Sequence, residues 1–354
     1  MDNFTSGKML YYINETKQYA LSIFNDAENI CREFAEAYAK NNYGRIVMVA
    51  SGTSNNSCVT AKHFLQRVLK KPVDIYSSYD YATYNTLFMD NDLVIAVTQE
   101  GESTNTIKAI NKANEKGLDT WVVTEYLDNS CTKAAKHKVT IACDREFFGA
   151  KTKGYVCTVL TLYMMALEAG KLSGSITEEE YECFRKSCEK SLNNIDTIIA
   201  EAEEFIAANH EDLIGCEKAY VLGSGPNIGV AIEGALKSYE TVRYPYDGME
   251  LEEFLHGPMM AMRPASYCFM IISKNRDYER TCAIFRSLAA GNDHVYAIGE
   301  VEGFDGPKVF KGSFVDEPYM NVFEFIIPLQ LVAYRTFTGK GLDVSDHDFP
   351  DMDM

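Results

Sequence analysis

Residues 45–57 read RIVMVASGTSNNS, a short apolar run followed at once by glycine, serine, threonine and asparagine. Similar apolar runs recur at 93–99 (LVIAVTQ), 120–125 (TWVVTE) and 138–143 (KVTIAC), with helical patterns between them. Short apolar strands that alternate with helices are typical of parallel βαβ units. The first half of the chain is therefore predicted to be an α/β domain with a parallel sheet flanked by helices.

The pattern restarts in the second half, at 218–225 (KAYVLGSG), 266–273 (SYCFMIIS) and 294–300 (HVYAIGE). Three predicted strand ends match across the halves at offsets of 173 to 175 residues: Ser51 with Ser224, Thr98 with Ser273, and Glu125 with Glu300. The general likeness of all α/β chains is the alternative explanation. Because the three offsets agree closely, we predict an internal duplication of one open α/β domain.

Helical patterns frame the two predicted domains. The predicted boundaries are a helical segment at 1–40, a first domain at 41–172, an acidic helical linker at 173–210, a second domain at 211–345 and a tail at 346–354. Residues 318–337 are apolar enough to form a buried helix within the second domain.

The composition excludes several classes of protein. The chain has 354 residues, 46% of them hydrophobic, and a formal net charge of −17, which argues against nucleic acid or an anionic membrane as a bulk partner. No apolar run is long enough to span a bilayer, and the first residues do not resemble a signal peptide. The 10 cysteines are scattered and form no CxxC pair, so we expect reduced thiols in the cytoplasm.

Two loops of the first half, at 50–57 and 98–106, combine glycine with several hydroxyl side chains. Each joins a predicted strand to a helix start, where hydroxyls and free N–H groups can bind phosphate oxygens. Helix caps and turns use the same residues and are the structural alternative. The matching loop of the second half, at 273–278, has no glycine and few hydroxyls. We therefore expect phosphate only in the first half.

A dense group of charges lies in the second half. Glu233, Lys237 and Glu240 recur at i, i+4 and i+7, so they share one helix face. This face is either a surface with an ion pair or a set of catalytic groups pointing the same way. His256 begins a His-Gly-Pro turn that follows a predicted short helix.

These motifs resemble those of the double sugar-isomerase (SIS) domain proteins, over about residues 40–345. The family includes the isomerase part of glucosamine-6-phosphate synthase and the fructosamine-6-phosphate deglycases. The matching segments are SGTS at 51–54, TQEGESTNT at 98–106, EGALKSYE at 233–240 and EFLHGP at 253–258. Glu240 and His256 are 16 residues apart, as are the family's catalytic glutamate and histidine. The resemblance implies two tandem SIS domains.

The resemblance also implies roles for individual residues. Glu240 would move a proton between C1 and C2 of the sugar, and His256 would assist as an acid or in ring opening. Lys237 would contact the sugar, while the phosphate would be bound by Ser54, Thr98, Gln99 and Ser103. The remaining substrate-binding candidates are Ser51, Gly52, Thr53, Gly101, Thr106 and Lys151. Neither a metal nor a cofactor is expected, because proton transfer next to a carbonyl needs only an acid and a base.

The chain departs from the synthase pattern in four places. Glu100 and Lys151 stand where the synthase has serines, and we expect Lys151 to neutralise Glu100 unless Glu100 points to solvent. The glutamine-hydrolysing domain is absent from this sequence, and no lysine follows Lys340. The expected activity is therefore that of a deglycase that releases an amine or amino acid and a hexose 6-phosphate from a ketosamine 6-phosphate. Alternatives are a glucosamine-6-phosphate deaminase or aldose–ketose isomerase, and a non-catalytic sugar-phosphate sensor.

The resemblance finally implies a homodimer, or a larger homo-oligomer, in which His256 reaches the neighbouring subunit's active site.

Overall fold

The computed structural model describes residues 7–342. The predicted tail at 346–354 lies outside the described residues. Residues 18–146 and 153–186 form one compact unit, here the first unit, while 7–17, 147–152 and 187–342 form the second unit. Each unit contains one five-stranded sheet.

All five strands of the first sheet are parallel, in the order β2-β1-β3-β4-β5. They are β1 (Arg45–Ala50), β2 (Val73–Ser77), β3 (Asp92–Val97), β4 (Asp119–Thr124) and β5 (His137–Thr140). Every residue of β1 and β3 is buried, because helices cover both faces of a parallel sheet.

The second sheet repeats this arrangement. Its strands are β6 (Ala219–Gly223), β7 (Tyr246–Glu250), β8 (Tyr267–Ile271), β9 (Val295–Ile298) and β10 (Val309–Phe310). They are parallel in the order β10-β9-β8-β6-β7, which is the order of the first sheet read from the other edge. The predicted fold of two tandem α/β domains with parallel sheets is therefore confirmed.

Thirteen α-helices are described within residues 7–342: α1 (Gly7–Asn25), α2 (Ala27–Lys40), α3 (Gly52–Leu69), α4 (Ser78–Thr83), α5 (Thr104–Glu115), α6 (Ser130–Ala134), α7 (Lys153–Ser173), α8 (Glu178–Ala208), α9 (His210–Leu213), α10 (Asn227–Thr241), α11 (Leu251–Leu255), α12 (Tyr278–Ala289) and α13 (Val322–Gly339). A short 3₁₀ helix spans Pro258–Ala261. The expectation that no apolar run could span a bilayer is wrong for α7, which is long and apolar enough by length and composition; 83% of its apolar window is buried within the protein, as in a core helix.

One face of the second sheet packs closely on α10. A Cβ added to Gly223 would lie 2.2 Å from the carbonyl oxygen of Asn227, and one added to Gly248 would lie 2.5 Å from the Cα of Ile232. Glycine at these two strand positions is what lets the backbone of α10 approach the sheet.

The opposite face of the second sheet carries α11 and α12. Side chains alternate between the faces of a strand, so Tyr220 and Leu222 of β6 point away from the face that Gly223 presents to α10. They share a buried cluster with Phe254 of α11 and Phe285 of α12, and the Tyr220 and Phe254 ring centroids are 5.1 Å apart. Helices α10 and α11 thus lie on opposite faces of one sheet.

Candidate functional site

The ends of two neighbouring strands bring the predicted phosphate loops together. β1 and β3 pair in parallel, with Ala50 opposite Val97, so both loops begin side by side at the carboxyl ends of these strands. This end of the first sheet is called its carboxyl edge below. Ser51 is the N-cap of α3 and Ser103 is the N-cap of α5, and neither hydroxyl is committed to capping its helix. Two helix N-termini with uncommitted hydroxyls form a surface suited to an anion.

Glycine shapes both loops. Gly52 has φ +55° and Gly101 has φ +78°, a left-handed conformation that strains other residues. Thr53 and Ser54 follow in the first turn of α3, where they are half-buried. The chain thus turns sharply from strand to helix, which leaves the first N–H groups of α3 pointing out of the loop.

Gly101 also lies against a buried side chain. An added Cβ would be 2.0 Å from Nδ2 of Asn129, which is 3% exposed and donates a 3.0 Å hydrogen bond to Thr124. We expect Gly101→Ala to lower the free energy of unfolding by about 2–3 kcal/mol, as measured in urea. The control is Gly117→Ala: Gly117 has φ +76° but open space, so only the strain remains, about 1 kcal/mol. Equal losses would show that the Asn129 contact is unimportant.

The other polar residues of these loops lie at different depths. Thr98 is 8% exposed at the end of β3, and the side chain of Gln99 lies against Gly154 at the start of α7. Thr106 is 1% exposed, and its hydroxyl is 3.0 Å from that of Ser78. Because its hydroxyl is already engaged inside the protein, Thr106 fits a supporting role better than direct contact with a ligand.

Glu100 is exposed in the first unit, and Lys151 is half-buried in the second. Their pairing stays a prediction.

Two carboxylates to which the sequence assigns no role, Glu102 and Glu125, accept hydrogen bonds near the carboxyl edge of the first sheet. Glu102 accepts hydrogen bonds from the hydroxyl and the N–H of Ser130, which hold the pKa of Glu102 below its usual range. Glu125 accepts hydrogen bonds from the N–H groups of Cys143 (2.8 Å) and Asp144 (2.9 Å). These partners are distant in sequence, so no local spacing could have indicated them.

The charges on α10 form a chain of ion pairs. Nζ of Lys237 is 3.2 Å from Oε1 of Glu233 and 2.5 Å from Oε2 of Glu240. The side chains of Glu233 and Lys237 are fully buried, whereas that of Glu240 is 33% exposed. Burial lowers the pKa of Lys237, but the charges of Glu233 and Glu240 outweigh it, so the net shift is upward. The lysine is held charged beside the partly exposed carboxylate of Glu240.

This arrangement corrects one expectation. The alternative that Glu233 and Lys237 belong to a solvated surface is wrong, because both side chains are 0% exposed. The implied contact of Lys237 with the sugar stays a prediction. Among the described residues its ammonium group pairs with two carboxylates, and this pairing holds Glu240 in place.

His256 follows α11 directly, as predicted, and is exposed. Its imidazole makes no hydrogen bond or ion pair with Glu240 within the described residues. Glu240 lies on α10 and His256 follows α11, so the second sheet separates them within one chain.

The two parallel five-stranded sheets, each flanked by helices, match the arrangement of two tandem SIS domains. Residues 40–169 match the family model described as the SIS domain. The resemblance drawn from the motifs is thereby confirmed.

Three relatives illustrate the likeness. Glutamine–fructose-6-phosphate aminotransferase (isomerizing) of Caulobacter vibrioides is 26% identical over 307 residues, which is 85% of this chain and 50% of the relative. A candidate phosphosugar isomerase of Clostridium difficile has a solved structure with TM-score 0.88 and 28% identity, covering 96% of this chain and 95% of that one. A candidate sugar-binding protein of Salmonella typhimurium gives TM-score 0.81 and 27% identity, covering 92% and 98%. The chain spans about half the length of the curated relatives it matches.

Proposed function

We propose that the protein is a ketosamine 6-phosphate deglycase, which releases an amine or amino acid and a hexose 6-phosphate. The phosphate binds at the carboxyl edge of the first sheet, between the loops that carry Ser54 and Ser103. Glu240 acts on the sugar carbons. The resemblance to the deglycases and the likeness to the relatives described above support this proposal.

The chemistry requires one base and one acid. Glu240 takes a proton from C1 of the ketosamine, which gives an enolamine, and a proton is then delivered to C2. The product is an imine at C1, and water hydrolyses it to the aldose 6-phosphate and the free amine. His256 serves as the acid at the sugar oxygen or in opening the ring.

The proposal depends most on two properties of Glu240: its ion pair with Lys237 and its exposure to solvent. Its carboxylate is fixed by the buried Lys237 at 2.5 Å and yet remains 33% exposed. A group that is both oriented and accessible is suited to proton transfer. Phosphate binding alone would need neither Glu240 nor His256, which favours an enzyme over a sugar-phosphate sensor.

We further propose that the site is shared between two copies of the chain. Glu240 and His256 must both come within hydrogen-bond reach of C1 and C2 of one substrate. Within one chain their helices α10 and α11 cover opposite faces of the second sheet, which supports the pairing of His256 of one subunit with Glu240 of another that the family resemblance implies.

A panel of substrates tests the proposed activity. The protein is incubated with several fructosamine 6-phosphates and with glucosamine 6-phosphate, and the released hexose phosphate and amine are assayed. Amine release from a fructosamine 6-phosphate supports the deglycase. Turnover of glucosamine 6-phosphate alone would point to the deaminase or isomerase, and binding without turnover would point to a sensor.

We expect the double variant Ser54→Ala/Ser103→Ala to raise KM for the phosphorylated substrate by about 100-fold and to change kcat little. Two hydrogen bonds to an anion, each contributing about 1.5 kcal/mol, would be lost equally in ground and transition states. The control is Ser77→Ala, because Ser77 lies at the same carboxyl edge but its hydroxyl caps α4 by accepting from Asp80 at 3.1 Å. A fall in kcat with unchanged KM would place the phosphate elsewhere.

A further inference from the structure

The loop after β8 of the second unit corresponds to the phosphate loop after β3, because Ser273 matches Thr98 at an offset of 175 residues. In the second unit this loop already holds an anion. The carboxylate of Asp316 accepts hydrogen bonds from the Ser273 hydroxyl (2.7 Å), the Lys274 N–H (2.7 Å) and the Asn321 side-chain amide (2.8 Å). A hydroxyl, a backbone N–H and an amide that converge on one carboxylate form the donor set of an oxyanion site.

Two of the three donor residues, Ser273 and Asn321, are buried in the second unit. Ser273 is 6% exposed and Asn321 is fully buried. Asn321 is the N-cap of α13, and α12 begins at the end of the same loop. The N-termini of two helices of 18 and 12 residues therefore face this edge and favour negative charge. The Asn321 side-chain amide donates to both the Ser273 hydroxyl (2.7 Å) and Asp316 (2.8 Å), whereas its side-chain oxygen has no hydrogen-bond partner among the described residues.

Asp316 itself is held in place by the loop that presents it. Its φ of +50° is a left-handed conformation that strains an aspartate. The buried Glu324 fixes the loop by accepting hydrogen bonds from the N–H groups of Val315 (3.0 Å) and Asp316 (3.1 Å). The loop, fixed by Glu324, therefore holds the Asp316 carboxylate against its three hydrogen-bond donors.

We infer that the second SIS domain contains its own binding site for a phosphate group and that Asp316 fills this site with its carboxylate. The positions that bind Asp316 are the counterparts of Thr98 and Gln99. Asp316 is half-buried and Lys274 is exposed, so the donor set reaches the surface and a phosphate has a route to it once the carboxylate is removed. Asp316 thereby restricts phosphate binding to the first half of the chain.

The test is to count phosphate sites. Asp316→Gly removes the carboxylate and suits the left-handed φ, so the variant is expected to fold. Isothermal titration with inorganic phosphate, at constant ionic strength, is expected to give one more site per chain in Asp316→Gly than in the wild-type protein. Adding Ser273→Ala to Asp316→Gly should remove the extra site, because it deletes a donor that would bind the phosphate.

The matched control is Glu317→Gly, which removes one negative charge from the next residue of the same loop. The Glu317 carboxylate pairs with Lys190 at 3.1 Å. Its backbone carbonyl accepts a 3.0 Å hydrogen bond from the Asn321 N–H, which the variant keeps, so no site should be gained. The inference is overturned if folded Asp316→Gly gains no site, or if Glu317→Gly gains one as well. If Asp316→Gly is too unstable for titration, its melting temperature with and without phosphate is measured instead. The inference then requires a larger rise with phosphate than in the wild type. The readout is a difference in site number, so it does not depend on the proposed deglycase activity.

Discussion

Glu240→Gln and His256→Asn are each expected to lower kcat by about 10²- to 10⁴-fold, the usual contribution of a positioned acid or base. If the two proteins are mixed and their subunits exchange, activity is expected to return to roughly a quarter of the wild-type level, on the view that sites act independently. Random exchange makes about half of the dimers mixed, and each mixed dimer has one intact site and one that lacks both groups.

The placement of α10 and α11 in the second unit supports the expectation that mixing the two variants restores activity. Glu240 lies on α10, and His256 follows α11, which packs on the other face of the same sheet around Phe254. A reciprocal control uses the double variant Glu240→Gln/His256→Asn mixed with an equal amount of wild-type protein. A shared site predicts that exchange halves the activity of the wild-type portion, since mixed dimers then have no intact site. If neither mixture changes after verified exchange, His256 serves its own chain.

Lys237→Met is expected to lower the free energy of unfolding by about 3–5 kcal/mol, because it leaves the carboxylate of Glu233 buried without its counter-charge. The double variant Glu233→Gln/Lys237→Met should be more stable than the single variant, since it removes both charges. The control is Lys40→Met: Lys40 pairs with Glu36 at 3.4 Å, but both side chains are largely exposed, so the loss should stay below about 1 kcal/mol. Urea denaturation measures all three. Equal losses at positions 40 and 237 would contradict the buried pair.

The same lysine predicts a pH dependence. The pKa of Lys237 is raised in the folded protein, chiefly by the charges of Glu233 and Glu240 acting against the effect of burial. Its contribution to stability is therefore complete below the ordinary lysine pKa of about 10.4 and is lost as the pH rises through the higher folded value. Wild-type protein should lose more stability than Glu233→Gln/Lys237→Met as the pH rises above about 10.

The central strands of both sheets and the edge strand β5 could be predicted from sequence, while the edge strands β2, β7 and β10 could not. β1 and β3 are apolar throughout because they are covered on both faces, which is the pattern that marks a parallel strand. The edge strands β2 and β7, of sequence VDIYS and YDGME, are mostly half-exposed and carry no such pattern. Helix α7 was missed for the opposite reason: 18 of its 21 residues are buried, so it has no polar face to give a helical period.

The sequence indicates which residues of α10 are candidates for the site, but it does not indicate how deeply they are buried or which helices surround them. Helical spacing placed Glu233, Lys237 and Glu240 on one face of α10. Their burial depends on tertiary packing: α13 lies so close to α10 that a Cβ on Gly234 would be 2.6 Å from Leu329. The separation of Glu240 from His256 likewise depends on which face of the sheet each helix covers, and spacing along the chain carries no such information.

The central claim, proton transfer between C1 and C2 by Glu240, is tested most directly with a fructosamine 6-phosphate that carries two deuterium atoms on C1. Loss of one deuterium from C1 must accompany imine formation, so the account predicts release of the amine and an aldose 6-phosphate with a single deuterium at C1. NMR of the product reads this directly, and Glu240→Gln should form almost none of it. Release of a ketose 6-phosphate that retains both deuterium atoms would mean direct substitution at C1 and would contradict the account.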